Sequence, residues 1–421
     1  MPSDLAPLYR DAHTIIRRAI ACNMPDAAVR NALKQHTCSG AVYLLAIGKA
    51  AWTMAHAARQ ELGDRIAGGI VITKYGHSRG DIGGMEIIEA GHPLSDRNTI
   101  LGTEKALAMA ESLRANDELL FLISGGGSAL FEKPLPGLTL DDIVDINNQL
   151  LASGADIVEI NMIRKRLSAV KAGRFAAMCA PAKVFTVVLS DVLGDRLDSI
   201  ASGPAAPDLS TAAEALGVVE KYHLTVNGTV QQYLAAETPK SLDNVTAVIT
   251  GSVRTLCQSA AAAAQSLGYT PHILCTDMAG EAREAGRFIA ALARQLDRNN
   301  ADSAIHRPCA LIFGGETVVH LTGNGTGGRS QEIALSAAEG IAGLDKLVVF
   351  SAGSDGTDGP TDAAGGIVDG TTLAKLNTLG LSIPAILANN DAYPALKAAG
   401  ALILTGPTGT NVNDLAVALA E

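Results

Sequence analysis

The stretch "LLFLISGGGSAL" (residues 119–130) holds the transition that decides the fold. Five apolar residues lead to Ser124, three glycines follow, and Ser128 leads into residues that suit a helix. A short apolar run bounded by turn-forming residues is typical of a strand buried on both faces. Small residues directly after such a strand let the chain turn into a following helix. The stretch therefore predicts one strand–loop–helix unit of a parallel α/β sheet.

The same pattern recurs along most of the chain, as apolar runs that end mostly in Gly, Ser or Asp and alternate with helical stretches. These runs occupy residues 41–48, 68–73, 183–191, 245–251 and 346–353.

Two domains are expected, because a chain of 421 residues is too long for one ordinary core. We predict that residues 1–240 form an N-terminal Rossmann-like domain, a parallel sheet with helices on both faces. Residues 241–421 are predicted to form a C-terminal α/β domain with a mixed sheet. Within it, "ALIFGGETVVHLTGNG" (residues 310–325) is predicted as an antiparallel hairpin.

Charge and composition exclude several classes of partner. The formal net charge is −10 and there is no basic tract, which excludes nucleic acid as a main partner. There is no signal-peptide core and no apolar run long enough to span a bilayer, so no membrane partner is expected. The six cysteines are scattered without a C-x-x-C pair, which predicts free thiols in a reducing compartment. We therefore expect a cytoplasmic protein.

The first glycine-rich loop comprises Ser124, Gly125, Gly126, Gly127 and Ser128. Successive small residues let backbone N–H groups converge on an anion, and the two hydroxyls can add hydrogen bonds. The alternative is a tight turn that only packs a helix against its strand. Three glycines between serines at the carboxyl end of a strand favour phosphate or carboxylate binding.

Charged residues follow other predicted strands. Lys49 comes directly after the run at 41–48, where ligands of α/β proteins lie, although most lysines are simply solvated. Asp191 ends another run and is a candidate general base. Asp355, Asp358 and Asp362 share one glycine-rich loop, and they are weaker candidates because Asp-Gly pairs commonly form turns. The histidines show no metal-ligand spacing, so a structural zinc is not expected.

A second glycine-rich loop lies in "HLTGNGTGGRSQEIAL" (residues 320–335), where Gly323, Gly325 and Gly328 satisfy the dinucleotide pattern G-x-G-x-x-G. The preceding segment alternates polar and apolar residues, unlike a first Rossmann strand, and the expected acidic partner about 20 residues later is missing. Arg329 follows the last glycine, where a bidentate cation would meet an oxyanion. The loop therefore suits phosphate better than a nicotinamide dinucleotide.

Several separate motifs, which together span nearly the whole chain, resemble the class II glycerate 2-kinase family, whose C-terminal part is called the MOFRL domain. The motifs are "AIGKAA" (46–51), "LISGGGSAL" (122–130), "NMIRKRLSAVKAGR" (161–174), "LSDVLGDRLDSIASGP" (189–204), "GGETVVHLTGNGTGGRSQEIAL" (314–335), "SAGSDGTDGPTDAAGG" (351–366) and "TGPTGTNVNDL" (405–415).

The resemblance implies two α/β domains with the active site in the cleft between them, and phosphorylation of the 2-hydroxyl of D-glycerate by ATP with Mg²⁺ or another divalent cation. It implies Lys49 and Arg329 as the main catalytic or substrate-binding cations, with Asp191 close by. The first glycine loop would bind phosphate or the substrate carboxylate. The other residues implied to bind substrate or phosphate are Glu316, Gly325, Gly327, Gly328 and Asn413. The metal ligands and the oligomeric state stay open, and a homo-oligomer is compatible with the sequence.

Two departures from the family pattern stand in one segment: Lys165-Arg166 replaces Lys-His, and Ala172-Gly173 replaces Gly-Gly.

Two other functions also stay open. Some family members carry the name hydroxypyruvate reductase, an NAD(P)H-dependent activity attached to tartrate degradation. The remaining alternative is a non-catalytic sugar-phosphate sensor, because serine–glycine loops also occur in sugar-phosphate-binding domains.

Overall fold

The structure, a computed structural model, describes residues 5–38, 40–297 and 304–421. The chain forms two compact units. The N-unit comprises Pro25–Thr250, and the C-unit comprises the residues up to Met24 and those from Gly251 onward. This division differs from the predicted one: the boundary lies ten residues later than residue 240, and the amino-terminal segment belongs with the C-terminal part of the chain.

The N-unit is built on one six-stranded sheet in the order β3-β2-β1-β4-β5-β6. The pairs from β3 to β5 are parallel. This order is that of a doubly wound Rossmann sheet, so the predicted parallel sheet is confirmed. Its strands are β1 (Val42–Ile47), β2 (Ile66–Lys74), β3 (Met85–Ala90), β4 (Glu118–Ile123), β5 (Lys183–Leu189) and β6 (Val245–Gly251).

Helices follow the strands as the alternating pattern predicts. In α4, for example, Asp96 and Thr99 form a capping box that satisfies the first free backbone amides. The helices are α1 (Ala6–Cys22), α2 (Pro25–Gln35), α3 (Ala51–Leu62), α4 (Arg97–Ser112), α5 (Gly127–Leu130), α6 (Leu140–Ser153), α7 (Ile157–Leu167), α8 (Arg174–Met178), α9 (Ala212–Lys221), α10 (Gly228–Leu234), α11 (Val253–Ser266), α12 (Ala282–Asp297), α13 (Arg329–Gly340), α14 (Thr372–Thr378), α15 (Ile383–Ala388) and α16 (Ala392–Ala399). No helix within the described ranges is long and apolar enough to cross a lipid bilayer.

The C-unit carries a second six-stranded sheet, in the order β11-β10-β9-β12-β8-β7. Only β7 and β8 pair in parallel and the other neighbours are antiparallel, which confirms the predicted mixed sheet. The strands are β7 (Thr270–Met278), β8 (Cys309–Gly315), β9 (Leu347–Gly353), β10 (Gly365–Asp369), β11 (Leu402–Ile403) and β12 (Asp414–Ala420).

The predicted hairpin at 310–325 is wrong, because only its first half is a strand. After Gly315 the chain makes a single isolated bridge, in which Val318 pairs with Glu281. Val318 and Leu321 are exposed, so the alternation of polar and apolar residues marks no buried face. Backbone groups further on bond to a loop before α16 instead of to a partner strand.

The amino-terminal helix α1 joins the C-unit through its apolar face. Leu8, Ala12 and Ile15 are fully buried, and the helix packs against α11. Tyr9 donates a hydrogen bond to Asp369 at 2.8 Å, and burial beside this carboxylate raises the pKa of the Tyr9 hydroxyl. An amphipathic helix is therefore present from Ala6, while residues 1–4 lie outside the described residues.

Candidate active site

The two central strands of the N-unit end side by side. In the parallel register Ile47 of β1 lies opposite Ile123 of β4, so Gly48 and Ser124 are neighbours at the carboxyl edge. The strand order reverses between β1 and β4, which is the position where doubly wound sheets bind ligands. A side chain at Gly48, where φ is +111°, would overlap Ser124, so the two turns touch only because residue 48 is glycine.

Hydrogen bonds join the two turns and set the position of Lys49. The Lys49 amide donates to Gly125 O at 2.9 Å, and the Ala50 amide donates to Ser124 Oγ at 3.1 Å. The Ser124 hydroxyl donates in turn to Ile47 O at 3.2 Å. The lysine predicted from its place after β1 is thus fixed against the glycine loop predicted to bind an anion.

The glycines of this loop are in contact with charged and polar side chains. A Cβ on Gly126, where φ is +86°, would lie 2.9 Å from the imidazole of His92 and 3.3 Å from Cε of Lys49. A Cβ on Gly125 would overlap the carboxylate of Asp191. The structure therefore brings together Lys49, Asp191 and the loop from Ser124 to Ser128, as the sequence predicts.

Some amides of this loop are not bonded to the backbone of the described residues. The N–H groups of Gly125, Gly126 and Ser128 donate to no backbone carbonyl among the described residues. Backbone amides beside a lysine are the elements of an anion site, because they supply hydrogen bonds without a mobile side chain. The geometry therefore suits a phosphate or carboxylate group.

His92 belongs to this cluster, although sequence reasoning missed it. Burial lowers the pKa of its imidazole, and the cations Lys49 and Lys74 together with His77 lower it further. A neutral imidazole at pH 7 can still donate one hydrogen bond to an anion. His92 lies just beyond Ala90, the last residue of β3, so the strand-end reasoning that selected Lys49 could have found it.

The far end of the loop is held by a buried network. Ser128 Oγ lies 3.0 Å from Ser202 Oγ, and the Ser202 hydroxyl donates to Asn161 Oδ1 at 3.4 Å. Lys171, which is fully buried, donates to Ser128 O at 2.9 Å and forms an ion pair with Glu132. This network was not anticipated from the sequence, because its members come from four separate segments.

In the C-unit, antiparallel pairing gathers a different set of residues. Asp414, the first residue of β12, lies opposite Gly315 at the end of β8 and Gly353 at the end of β9. Glu316 follows the first of these strand ends directly, and Asp355 lies two residues beyond the second. One edge of the sheet therefore collects three carboxylates.

Arg329 pairs with two of these carboxylates, those of Asp414 and Glu316. Its Nε and Nη2 donate to the two Asp414 oxygens at 2.5 and 3.2 Å, and its Nη1 lies 3.2 Å from Glu316. Asn413 donates to Glu316 at 3.0 Å, so the predicted residues Arg329, Glu316 and Asn413 do come together. Burial raises the pKa of Asp414, with Glu316 and Asp355 acting in the same direction and Arg329 opposing them. Asp414 was missed as a site residue, although it stands inside a motif that the family resemblance uses.

The amino terminus of α13 is occupied by a side chain of the protein itself. The amides of Ser330 and Gln331 donate to the carboxylate of Asp358 at 3.2 and 2.8 Å. Burial raises the Asp358 pKa to about 7, and the nearby Asp414 contributes in the same direction. An anion at this helix terminus would have to displace a buried carboxyl group. Asp362, the other candidate carboxylate on the loop that holds Asp358, accepts a hydrogen bond from Tyr393 Oη at 2.8 Å.

The second glycine loop is bound to its own unit. Every amide from Thr322 to Thr326 donates to the segment from Asn389 to Asp391, and the Gly325 amide does so at 2.8 Å. A Cβ on Gly325 would lie 2.5 Å from Asn389 O and from Asp391 Cβ. These glycines are thus explained by close packing, and phosphate binding by Gly325, Gly327 and Gly328 stays a prediction.

Comparisons with known proteins place the chain among relatives. Residues 309–414 match the MOFRL family, and residues 11–235, more than half of the chain, match a domain of unknown function designated DUF4147. The chain is 52% identical to the D-glycerate 2-kinase of Thermotoga maritima over 99% of both chains. The chain belongs to the class II glycerate 2-kinase family.

Other members of the family carry related names. The glycerate 2-kinase of Pyrococcus horikoshii is 40% identical over 96% of both chains. A putative hydroxypyruvate reductase of Agrobacterium vitis is 38% identical over 96% of this chain and 93% of its own length. The crystal structure of the Thermotoga maritima glycerate kinase superposes with a TM-score of 0.94 over 98% of this chain and 99% of the other, so the two-sheet α/β fold is a family property.

The first departure from the family pattern, Lys165-Arg166, lies in a buried ion-pair network. Arg166 is fully buried and donates to Asp208 at 3.1 Å and to Ser210 Oγ at 2.9 Å. Lys165 donates to Asp198 at 3.1 Å and lies 3.5 Å from Asp208. In this member of the glycerate 2-kinase family, both cations at that position therefore have internal partners.

Proposed function

We propose that this protein is an ATP-dependent glycerate 2-kinase that phosphorylates the 2-hydroxyl of D-glycerate to 2-phosphoglycerate. The observation that carries the proposal is the convergence of Lys49, Asp191 and the Ser124–Ser128 loop at the switch point of the N-unit sheet. The site combines a cation, loop amides that donate to no backbone carbonyl among the described residues, and a carboxylate, which is what phosphoryl transfer to a hydroxyl requires. The names of the relatives from Thermotoga maritima and Pyrococcus horikoshii support the same substrate.

In the proposed reaction the glycerate hydroxyl oxygen bonds to the γ-phosphorus of ATP while the bond to the bridging oxygen of ADP breaks. The hydroxyl proton passes to the carboxylate of Asp191. Lys49 and the amides of the first loop stabilise negative charge on the transferring oxygens, and they are already oriented before the reaction begins. His92 donates a further hydrogen bond to the same group.

Arg329 is the second cation with a proposed catalytic role. Asp414 and Glu316 hold its guanidinium in one orientation, and about a third of the side chain (34%) stays exposed. We propose that this exposed part stabilises charge on the phosphoryl group in the transition state. Glu316 and Asn413 are then positioning residues for the arginine, and Asp414 adds to them.

Mg²⁺ fits the donor chemistry beside Asp191. Mg²⁺ bound to ATP needs only one or two protein carboxylates, since phosphates and water supply its other ligands. Asp195, four residues beyond Asp191, has an Oδ1 that is buried without a hydrogen-bond partner among the described residues, and it would hold the ion. Bound there, Mg²⁺ would neutralise charge on the phosphate oxygens.

The reductase alternative has one structural observation in its favour, the Rossmann strand order of the N-unit. The turn after β1, where that fold binds the pyrophosphate of NAD, reads Gly48-Lys49-Ala50 and lacks the glycine fingerprint. The G-x-G-x-x-G match at Gly323 to Gly328 stands in the C-unit and follows no strand. The kinase is therefore the better-supported function.

A paired assay tests the proposal on the purified protein. In one arm D-glycerate and Mg-ATP are supplied and ADP release is followed, with the product identified by ³¹P NMR. In the other, hydroxypyruvate is supplied with NADH or NADPH and the loss of nicotinamide absorbance is followed. We expect ADP release with formation of 2-phosphoglycerate and no nicotinamide oxidation. Nicotinamide oxidation alone would establish the reductase, and binding of phosphosugars without turnover in either arm would establish the sensor.

A further inference from the structure

Arg164 is a partly exposed cation that has no ion-pair partner among the described residues. Its Nε is shut off from solvent without a hydrogen-bond partner, and no guanidinium nitrogen makes an ion pair with a described residue. Burial lowers its pKa, and only the charge of Glu132 opposes that effect. Glu132 already forms an ion pair with Lys171.

A guanidinium cannot escape this situation by losing its proton, because its pKa stays above the physiological range. Arg164 is only partly exposed, and a charge held largely out of water without a partner is unfavourable, so such a group is kept where a ligand supplies the opposite charge. The neighbouring cations differ in this respect, since Lys165, Arg166 and Lys171 all have internal carboxylate partners. Arg164 is therefore the cation of this segment that is ready to receive an external anion.

The surroundings of Arg164 place it at the Ser128 end of the first glycine loop. Asn161 stands three residues earlier on α7, so the two side chains share a face of the helix. Asn161 accepts a hydrogen bond from Ser202, which in turn contacts Ser128 Oγ. Burial lowers the pKa of Lys171, and the charge of Arg164 lowers it further. Lys171 in turn donates a hydrogen bond to the carbonyl of Ser128.

We infer that Arg164 binds the carboxylate of the hydroxy-acid substrate, with Asn161 and the Ser128 hydroxyl completing the subsite. The Asn161 Nδ2 donates no hydrogen bond to a described residue and is available for the same carboxylate. A planar guanidinium matches a planar carboxylate with two parallel hydrogen bonds. This inference rests on the proposed function, because it names the group that the kinase would recognise in its acceptor.

The two ends of the loop then divide the anionic groups between them. Lys49 and His92 lie at Gly126, where the phosphoryl group is proposed to transfer, whereas Arg164 and Asn161 lie towards Ser128. A carboxylate and a phosphate could each neutralise a guanidinium. The test must therefore follow both the acceptor and ATP.

The experiment compares the wild-type protein with Arg164→Gln and Arg164→Lys. KM for D-glycerate and KM for ATP are measured by ADP release, and binding of 3-hydroxypropionate is measured by calorimetry. This probe keeps the carboxylate and lacks the 2-hydroxyl, so its binding does not depend on turnover. We expect Arg164→Gln to raise KM for glycerate and Kd for the probe by about 100-fold, with KM for ATP changed less than about threefold. Arg164→Lys should raise KM for glycerate and Kd for the probe by an intermediate amount, since lysine keeps the charge but cannot donate two parallel hydrogen bonds to the carboxylate.

Arg174→Lys is the matched control. Arg174 is also mostly buried, but its Nη1 donates to the carbonyls of Lys165 and Ser168, so its replacement should lower the thermal midpoint without raising either constant selectively. An unchanged Kd for the probe in Arg164→Gln, or no probe binding by the wild-type protein, would overturn the inference. A selective rise in KM for ATP would also overturn it, by assigning Arg164 to a phosphate. A wild-type protein that binds the probe in an Arg164-dependent way but releases no ADP would reject the proposed kinase alone.

Discussion

The two glycine-rich loops of this protein resemble each other in sequence and differ in what their amides do. Gly323 to Gly328 match the dinucleotide fingerprint, and their neighbouring amides are taken up by the segment from Asn389 to Asp391. The loop from Ser124 to Ser128 matches no fingerprint, and it presents amides at the end of two parallel strands beside Lys49.

The difference shows that glycine spacing alone does not identify a ligand site. Glycine permits any close approach of backbone, whether the approaching group is a ligand or another loop. What distinguishes the loops is their place in the fold: one follows a buried strand at a switch point, and the other follows an isolated bridge after Gly315. The chemistry is therefore expected in the loop without the fingerprint.

The strongest test of this comparison is removal of the cation beside the first loop. Lys49→Ala takes away a charge that is proposed to stabilise the phosphoryl oxygens, so kcat/KM for ATP-dependent phosphorylation of glycerate should fall by about 10³-fold. Lys133→Ala removes an exposed lysine of the same unit that pairs with Glu104, and it should leave kinetics unchanged. A loss below tenfold for Lys49→Ala would contradict its proposed role.

The second largest effect is expected from a methyl group in the first loop. Gly126→Ala adds a Cβ against His92 and Lys49 at a residue with φ of +86°, so kcat/KM should fall by about 10²-fold, the scale of a misplaced catalytic group. Gly137→Ala is the control, because Gly137 also has a positive φ but its Cβ would lie 3.5 Å from Thr229 in ordinary contact. Both variants should lose about 1–2 kcal/mol of stability from backbone strain. Equal kinetics in the two variants would remove the special role of Gly126.

The same substitution in the second loop should affect stability instead of catalysis. Gly325→Ala forces a Cβ against the backbone of Asn389 and Asp391, which should lower the free energy of unfolding by about 2–3 kcal/mol. Gly327→Ala meets Ala392 at 3.2 Å and should have a smaller effect. Denaturant unfolding measures both values, and kcat of the folded Gly325→Ala protein should equal that of wild type. A tenfold loss of kcat at unchanged stability would make the second loop part of the chemistry.

The last expected effect, and the smallest per pH unit, is a pH dependence of stability at the end of the second loop. Asp358 has a folded pKa raised to about 7, so the folded protein holds a proton that the unfolded chain releases above about pH 4. Stability from this group is complete below that pH and declines as the pH rises to about 7, by at most about 1.4 kcal/mol per pH unit. Asp358→Asn should make the decline shallower in urea unfolding series from pH 4 to 8. A steeper decline in the variant would show that Asp358 does not titrate in this way.

Much of the fold follows from sequence because strand burial and turn residues are local signals. Every apolar run cited for the N-unit became a strand, and the strand-end rule selected Lys49 and Asp191 correctly as members of one cluster. The hairpin at 310–325 failed because alternation in "ETVVHLT" lacks a buried face, and burial depends on tertiary neighbours.

Other parts of the site depend on pairings between distant segments. Asp414 meets Arg329 only because β12 runs antiparallel to both β8 and β9, and no local pattern predicts that register. Arg164 also looked like any other cation of a basic helix end. Only the structure shows that Lys165 and Lys171 have carboxylate partners whereas Arg164 has no ion-pair partner among the described residues.

The most direct test of the account compares one methyl group in each loop. kcat/KM for D-glycerate is measured at saturating Mg-ATP for Gly126→Ala and Gly325→Ala, at a temperature where unfolding curves show both variants to be folded. We predict activity at least about 100-fold lower in Gly126→Ala than in Gly325→Ala, with the activity of Gly325→Ala matching that of the wild-type protein. Equal activities, or a greater loss in Gly325→Ala, would contradict the claim that the loop after β4 carries the chemistry.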